Sequence, residues 1–144
     1  MNLTKLEGIL PVLPTPFDDE GNVDLNAMKK VAQFCIDSGA HGLVFPGVAS
    51  EFNHLSSSEQ EALLRVVCRV VDNQLPVICG GGNGGPEHIG ANIRNAHDLG
   101  VVAAMVLIPN SFEGDPDGAL IYIQSVIKHA PGVDIILQNA PAPV

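Results

Sequence analysis

The sequence predicts an α/β fold of the (β/α)8 TIM-barrel kind, of which this chain supplies strands 1–5 and helices 1–4. Three observations lead there. Short apolar runs alternate with amphipathic helical stretches, and the runs recur at roughly 30-residue intervals, the size of one strand–helix repeat. The run Val101–Ile108 is apolar at nearly every position, as strands buried on both faces are. The last run, Val133–Leu137, passes straight into a loop with no helical stretch after it, a layout that leaves a bare apolar edge in an open sheet. An open doubly wound sheet is the competing architecture. Length speaks for it, because a complete barrel takes about 250 residues and the sequence has 144. On the barrel reading, residues 1–144 are the N-terminal part of a single domain.

Each element has a local reason. Gly8–Leu13 is apolar and partly β-branched, and the loop Pro14–Asn22 follows, rich in Pro, Asp and Gly. From Asp24, Leu25, Met28, Ala32 and Cys35 recur at helical spacing until Ser38-Gly39 stops them. Gly42–Phe45 is the second strand. Ser57 starts the second helix, with Glu59 and Glu61 near its positive end and Leu63, Val66, Val67 and Val70 as its buried stripe. Leu75–Cys79 is the third strand, followed by the glycine run Gly80–Gly85. Pro86 opens the third helix, which turns Ile89, Ile93 and Ala96 inward and ends at Gly100. Val101–Ile108 is the fourth strand. Asp115-Pro116 begins the fourth helix, with Leu120, Ile123 and Ile127 on one face, and Val133–Leu137 is the fifth strand.

Composition narrows the function. At 46% hydrophobic content the chain can bury one sizeable core. A net charge of −9 argues against nucleic acid and anionic membrane, both of which call for basic patches. Small anions remain open, since backbone amides bind them without Lys or Arg. Cys35, Cys68 and Cys79 are widely spaced and no export signal precedes them, which suggests reduced thiols and a cytoplasmic location. No apolar run reaches the roughly 18 residues that span a bilayer. His41, His54, His88, His97 and His129 show no short ligand spacing, so no metal is expected.

The stretch with most chemical promise is Gly42–Glu51. A buried strand there delivers a turn of small residues, Gly47-Val48-Ala49-Ser50, closed by Glu51. Loops at the carboxyl ends of strands are where ligands sit in such folds, although many such loops only connect. Gly80–Gly85 contains Gly-x-Gly-x-x-Gly but lacks the Gly-Lys-Ser/Thr ending of a phosphate loop. The next strand also carries no acidic residue for a ribose. It reads as a tight turn with close backbone packing, which weakens a nucleotide-binding alternative.

Taken as an ordered set, several motifs resemble one family. The opening Gly8-Ile9-Leu10-Pro11-Val12-Leu13-Pro14-Thr15-Pro16-Phe17, the Gly21–Asp24 run and Ser38-Gly39-Ala40-His41-Gly42-Leu43 are similar to the dihydrodipicolinate synthase/N-acetylneuraminate lyase family. Gly47-Val48-Ala49-Ser50-Glu51 stands where that family carries Gly-Thr-Thr-Gly-Glu. Leu55-Ser56-x-x-Glu59, Val77–Gly82 and Ala96-x-x-Leu99-Gly100 also fit. The resemblance covers essentially all of the chain.

It implies a barrel, usually a homotetramer, that cleaves, condenses or dehydrates small-molecule 2-keto acids through a lysine Schiff base, with no added cofactor. That lysine belongs to strand 6, beyond this chain, so the 144 residues alone are expected to be inactive. Substrate binding is expected at Gly47, Val48, Ala49, Ser50 and Asn139, with Glu51 supporting the loop. Gln138 stands at the family's usual tyrosine, and an amide orients a hydroxyl or water but does not trade protons near pH 7. Val48 and Ala49 replace the family's threonine pair, so a carboxylate would rest on the backbone amides of Val48, Ala49 and Ser50. Pro143 aligns with the arginine that the synthases carry. Gln138-Asn139-Ala140-Pro141-Ala142 is more like the L-2-keto-3-deoxyarabonate dehydratase branch, which implies dehydration or aldol cleavage of a 2-keto-3-deoxy sugar acid. The alternatives are pyruvate condensation of the dihydrodipicolinate synthase type, or a non-catalytic keto-acid-binding protein that kept the fold.

Overall fold

The computed structural model describes residues 6–138; Asn139 lies outside them. Four helices, α1 (Leu25–Asp37), α2 (Ser57–Val71), α3 (Pro86–Asp98) and α4 (Pro116–His129), alternate with four strands. The strands are β1 (Leu43–Val44), β2 (Val77–Gly80), β3 (Ala103–Leu107) and β4 (Asp134–Gln138). They form one sheet in the order β1-β2-β3-β4, parallel throughout, with Leu43 opposite Val77, Ile78 opposite Ala103 and Leu107 opposite Gln138.

The helix ends follow local chemistry. Asp24 caps α1 by accepting the N–H groups of Asn26 and Ala27 at 2.8 and 2.9 Å. Ser56 and Glu59 form a reciprocal box at the start of α2, with the Ser56 N–H donating to the Glu59 carboxylate at 2.8 Å. Asp115 caps α4 ahead of Pro116. At the other end, α1 and α3 finish alike. A left-handed glycine (Gly39, φ 82°; Gly100, φ 108°) turns the chain, and the next N–H returns to the helix, Ala40 to Cys35 and Val101 to Ala96.

The first predicted strand is the exception. Residues 9–13 run beside β1, with the Leu13 N–H donating to the Val44 carbonyl at 3.0 Å and the Val44 N–H to the Pro11 carbonyl at 2.9 Å. Only Val12 forms a bridge, to Val44. Pro11, whose position faces β1, has no N–H to give, so no regular ladder forms.

All four helices pack on one side of the sheet. There Leu43, Phe45, Val77, Cys79, Ala104 and Val106 join Met28, Ala32, Leu63, Val67, Ile89, Ile93 and Val126 in one core. On the other side, Val44, Ile78 and Ala103 are buried by Leu6, Leu10, Val102, Met105 and Ile136, with no helix involved. The buried stripe of α4 differs from the predicted one. Tyr122, Ile123 and Val126 face inward, while Leu120 and Ile127 are exposed. The helix carries apolar residues nearly all round, so its periodicity leaves two faces open, and contact with α3 chooses between them. At that contact a Cβ on Gly90 would run into His129, and the Arg94 guanidinium donates to the His129 carbonyl.

Candidate functional site

The carboxyl ends of β1–β4 open into a small cleft of about 40 Å³ lined by Gly47, Val48, the stretch 80–83, Met105, Leu107 and Gln138, among others. β1 leads through Phe45 and Pro46 to Gly47 and then a single 3-10 turn, Val48–Ser50. The glycines here are required by close approach. The Gly80 N–H donates to the Pro46 carbonyl at 2.8 Å, and a Cβ on Gly80 would stand 2.7 Å from that oxygen. A Cβ on Gly47 would meet Val12 at 2.7 Å, and one on Gly81 would meet Ile89 at 2.9 Å. The glycine run after β2 is thus a tightly packed turn, as its missing phosphate-loop ending suggested.

Within the turn, the N–H groups of Ser50 and Glu51 donate to the carbonyls of Gly47 and Val48, each at 3.0 Å. The Val48 and Ala49 N–H groups begin the turn and so have no acceptor within it. Ser50 is fully buried, and its hydroxyl is committed on both sides. It donates to the Leu13 carbonyl at 2.6 Å and accepts the Gly47 N–H at 3.0 Å. The Ser50 amide and hydroxyl therefore hold the turn together and are not available to a ligand. Loop support also falls to Ser50 rather than to Glu51. The Glu51 side chain is exposed, its backbone is left-handed (φ 55°), and among the described residues the side-chain hydrogen bonds of this turn come from Ser50 and Thr15.

Of the predicted site residues, the structure brings Gly47, Val48 and Gln138 to one cleft. Ala49 is exposed on the turn and Ser50 lies beneath it. Gln138 ends β4 opposite Leu107, and its carbonyl accepts the Ile108 N–H at 3.2 Å. Among the described residues, none lining the cleft is ionisable. Lys29 and Lys30 lie exposed on α1 and Lys128 exposed on α4, away from strand ends; Lys5 is outside the described residues. The thiols also lie elsewhere. Burial pushes Cys79 up to about 12 and Cys68 up to about 11, and raises Cys35. Among the described residues, no three His, Cys, Asp or Glu side chains cluster closely enough to hold a metal ion.

A larger hollow of about 260 Å³ lies behind the same loops, between α2 and α3. The Asn83 amide donates to Asn53 across it at 2.7 Å, and Gln60 donates to the Phe52 and Leu55 carbonyls at 2.9 and 3.1 Å. Sequence reasoning missed Thr15, Asn83, Met105 and Leu107. In β3 every position is apolar, so nothing in the pattern tells which alternate residues face the cleft; Thr15 and Asn83 sit in loops with no period at all.

The pattern of the dihydrodipicolinate synthetase family matches residues 5–143. The 4-hydroxy-tetrahydrodipicolinate synthase of Prochlorococcus marinus (strain MIT 9211) is 34% identical over 134 residues, which are 92% of this chain and 44% of that protein. The probable 2-dehydro-3-deoxy-D-pentonate aldolase YjhH of Escherichia coli (strain K12) is 27% identical over 139 residues, 96% of this chain and 46% of that protein. The crystal structure of YagE, a prophage protein of the dihydrodipicolinic acid synthase family from E. coli K12 in complex with pyruvate, superposes with a TM-score of 0.84 at 26% identity, covering 94% of this chain and 45% of that one. The chain thus spans somewhat less than half the length of the relatives it matches. Among the described residues, no helix is long and apolar enough to cross a membrane.

Proposed function

This chain belongs to the dihydrodipicolinate synthetase family, and from that premise we propose that the whole protein is a lyase acting on a pyruvate-type 2-keto acid through a lysine Schiff base. Residues 1–144 form the N-terminal part of its single barrel domain. The lysine lies on the strand that would follow β4, and the substrate is a 2-keto-3-deoxy sugar acid, which loses either water by dehydration or an aldehyde by aldol cleavage. The neutral lysine attacks the C2 carbonyl and, with loss of its oxygen as water, gives an iminium, which acts as an electron sink. In dehydration a proton leaves C3 and hydroxide departs from C4. In aldol cleavage the C4 hydroxyl gives up its proton, the C3–C4 bond breaks into an enamine and the aldehyde departs. Water then releases the keto acid from the lysine. The assembly is a homo-oligomer in the cytoplasm.

One observation carries the proposal: the Gly47–Val48 turn and Gln138 line the same cleft at the strand ends. The Val48 and Ala49 N–H groups suit the substrate carboxylate, and the Gln138 amide orients a substrate hydroxyl or a water; Asn139, next in sequence, is assigned to substrate contact by the family resemblance alone. The aldolase name of the E. coli relative supports the sugar-acid class, and the pyruvate bound to YagE supports the keto acid. A second reading, a keto-acid-binding protein without catalysis, is favoured by the residues that are present: Val48, Ala49 and Gln138 stand where the family it resembles carries two threonines and a tyrosine.

Borohydride trapping with pyruvate and with a 2-keto-3-deoxy sugar acid, read by intact mass, separates the two. It is run on this chain and on a polypeptide continued through the next strand. An adduct on the longer polypeptide alone is expected. No adduct on either turns the assignment to the binding protein.

A further inference from the structure

We propose that Ser50 and Thr15 are positioning residues: two buried hydroxyls that hold the turn presenting the Val48 and Ala49 N–H groups. The inference rests on the reading of that turn as the keto-acid carboxylate site. Ser50 is 0% exposed and Thr15 9%. The Thr15 hydroxyl donates to the Ser50 carbonyl at 2.6 Å, and the Ser50 hydroxyl donates to the Leu13 carbonyl at 2.6 Å while accepting the Gly47 N–H at 3.0 Å. Two short bonds therefore tie Ser50 to the 13–15 segment, and a third, from the Gly47 N–H to the Ser50 hydroxyl, closes the four-residue turn on that anchor. From the other side, β2 fixes the approach to the turn through the Gly80 N–H on the Pro46 carbonyl at 2.8 Å.

The clamp matters because of what the turn lacks. Val48 and Ala49 offer no side-chain donor, so a carboxylate has only backbone N–H groups to meet. Amide donors serve an anion well only when held in place before it arrives. Where the family motif has glycine, this chain has a serine, whose hydroxyl points away from the ligand and into the support. The clamp thus takes over, from beneath, orientation that side-chain hydroxyls would otherwise supply from above.

The test is a pyruvate titration of the 15N-labelled whole protein, following amide shifts by NMR, with circular dichroism confirming that each variant is folded. In the unsubstituted protein, pyruvate should move the Val48 and Ala49 amides. Ser50→Ala and Thr15→Val should each weaken binding about five- to tenfold, the worth of one net hydrogen bond. Thr15→Ser, which keeps the hydroxyl, should stay within about twofold of the unsubstituted protein on the same argument. If Ser50→Ala does not fold, the Thr15→Val and Thr15→Ser pair decides. Unchanged affinity in folded Thr15→Val, with Val48 and Ala49 still responding, overturns the positioning role alone. Silence of Val48 and Ala49 in the unsubstituted protein overturns the carboxylate reading, and the positioning role with it.

Discussion

The two faces of the sheet are built from alternate residues of the same strands, yet they do different work. On the helix side, Phe45, Cys79 and Val106 are sealed against four helices. On the other side, Val44, Ile78 and Ala103 are buried as deeply, but their successors toward the strand ends, Met105, Leu107, Ile136 and Gln138, are only half-buried. Cohesion is concentrated on one face and access on the other. A strand places neighbours on opposite faces, so the division needs no separate elements. The turn after β1 is held by hydroxyls and close glycines rather than by apolar packing.

The sharpest test of this division is a pair of truncations. Phe45→Ala should cost about 3–5 kcal/mol, the range for removing a sealed aromatic. Met105→Ala, half-buried on the open face, should cost less than about 2 kcal/mol. Urea unfolding of both variants measures the difference, and equal losses would show that the two faces contribute alike.

A smaller effect concerns the thiols. Burial holds Cys79 near 12 and Cys68 near 11 against an ordinary value of 9.0. Each thiol stays protonated in the fold while the unfolded chain ionises from about 9. Their contribution is therefore whole below that pH and is lost as pH rises toward 11 and 12. The melting temperature should fall over this window, and Cys79→Ala should flatten the slope. With a thiol reagent near pH 8, Cys35 should react first, Cys68 more slowly, and Cys79 only on unfolding. Early labelling of Cys79 would mean that the helix face opens readily.

The smallest effect lies outside both faces, at the solvent-exposed start of α2. Ser56→Ala should lose about 1 kcal/mol of stability through the lost cap. Hydrogen bonds from the Ser56 hydroxyl and N–H hold the Glu59 carboxyl below its ordinary 4.5. Its contribution is present above that value and lost as pH falls below it. Glu59→Gln should therefore flatten the acid limb of a stability–pH curve, and an unaltered limb would place the acid sensitivity elsewhere.

The helices and their caps were legible because their hydrogen bonds close within a few residues. Asp24, Ser56 and Asp115 cap the helices they precede, and Gly39 and Gly100 end α1 and α3 where the sequence puts punctuation. The parallel sense followed from the alternation of elements, whereas the consecutive order of the strands, which separates a barrel from an open doubly wound sheet, came only with the tertiary structure. The first strand was over-read, because its apolar run is visible locally while the cost of Pro11 is felt only in the ladder. The stripe of α4 was misplaced because a helix with apolar residues nearly all round does not declare its buried side until α3 and Gly90 meet it.

For the candidate site the division is the same. By itself the sequence determined that a turn of small residues ends β1, that its side chains carry no threonine hydroxyls, and that an amide stands at the end of β4. Only the tertiary structure decided that Ser50 turns its hydroxyl inward to Leu13, 37 residues away, that Thr15 seals the same turn, and that Met105 and Leu107 share a wall with Gln138. Caps and turns are set by bonds between near neighbours, whereas the aim of a buried hydroxyl is set by whichever carbonyl the packed chain brings within reach.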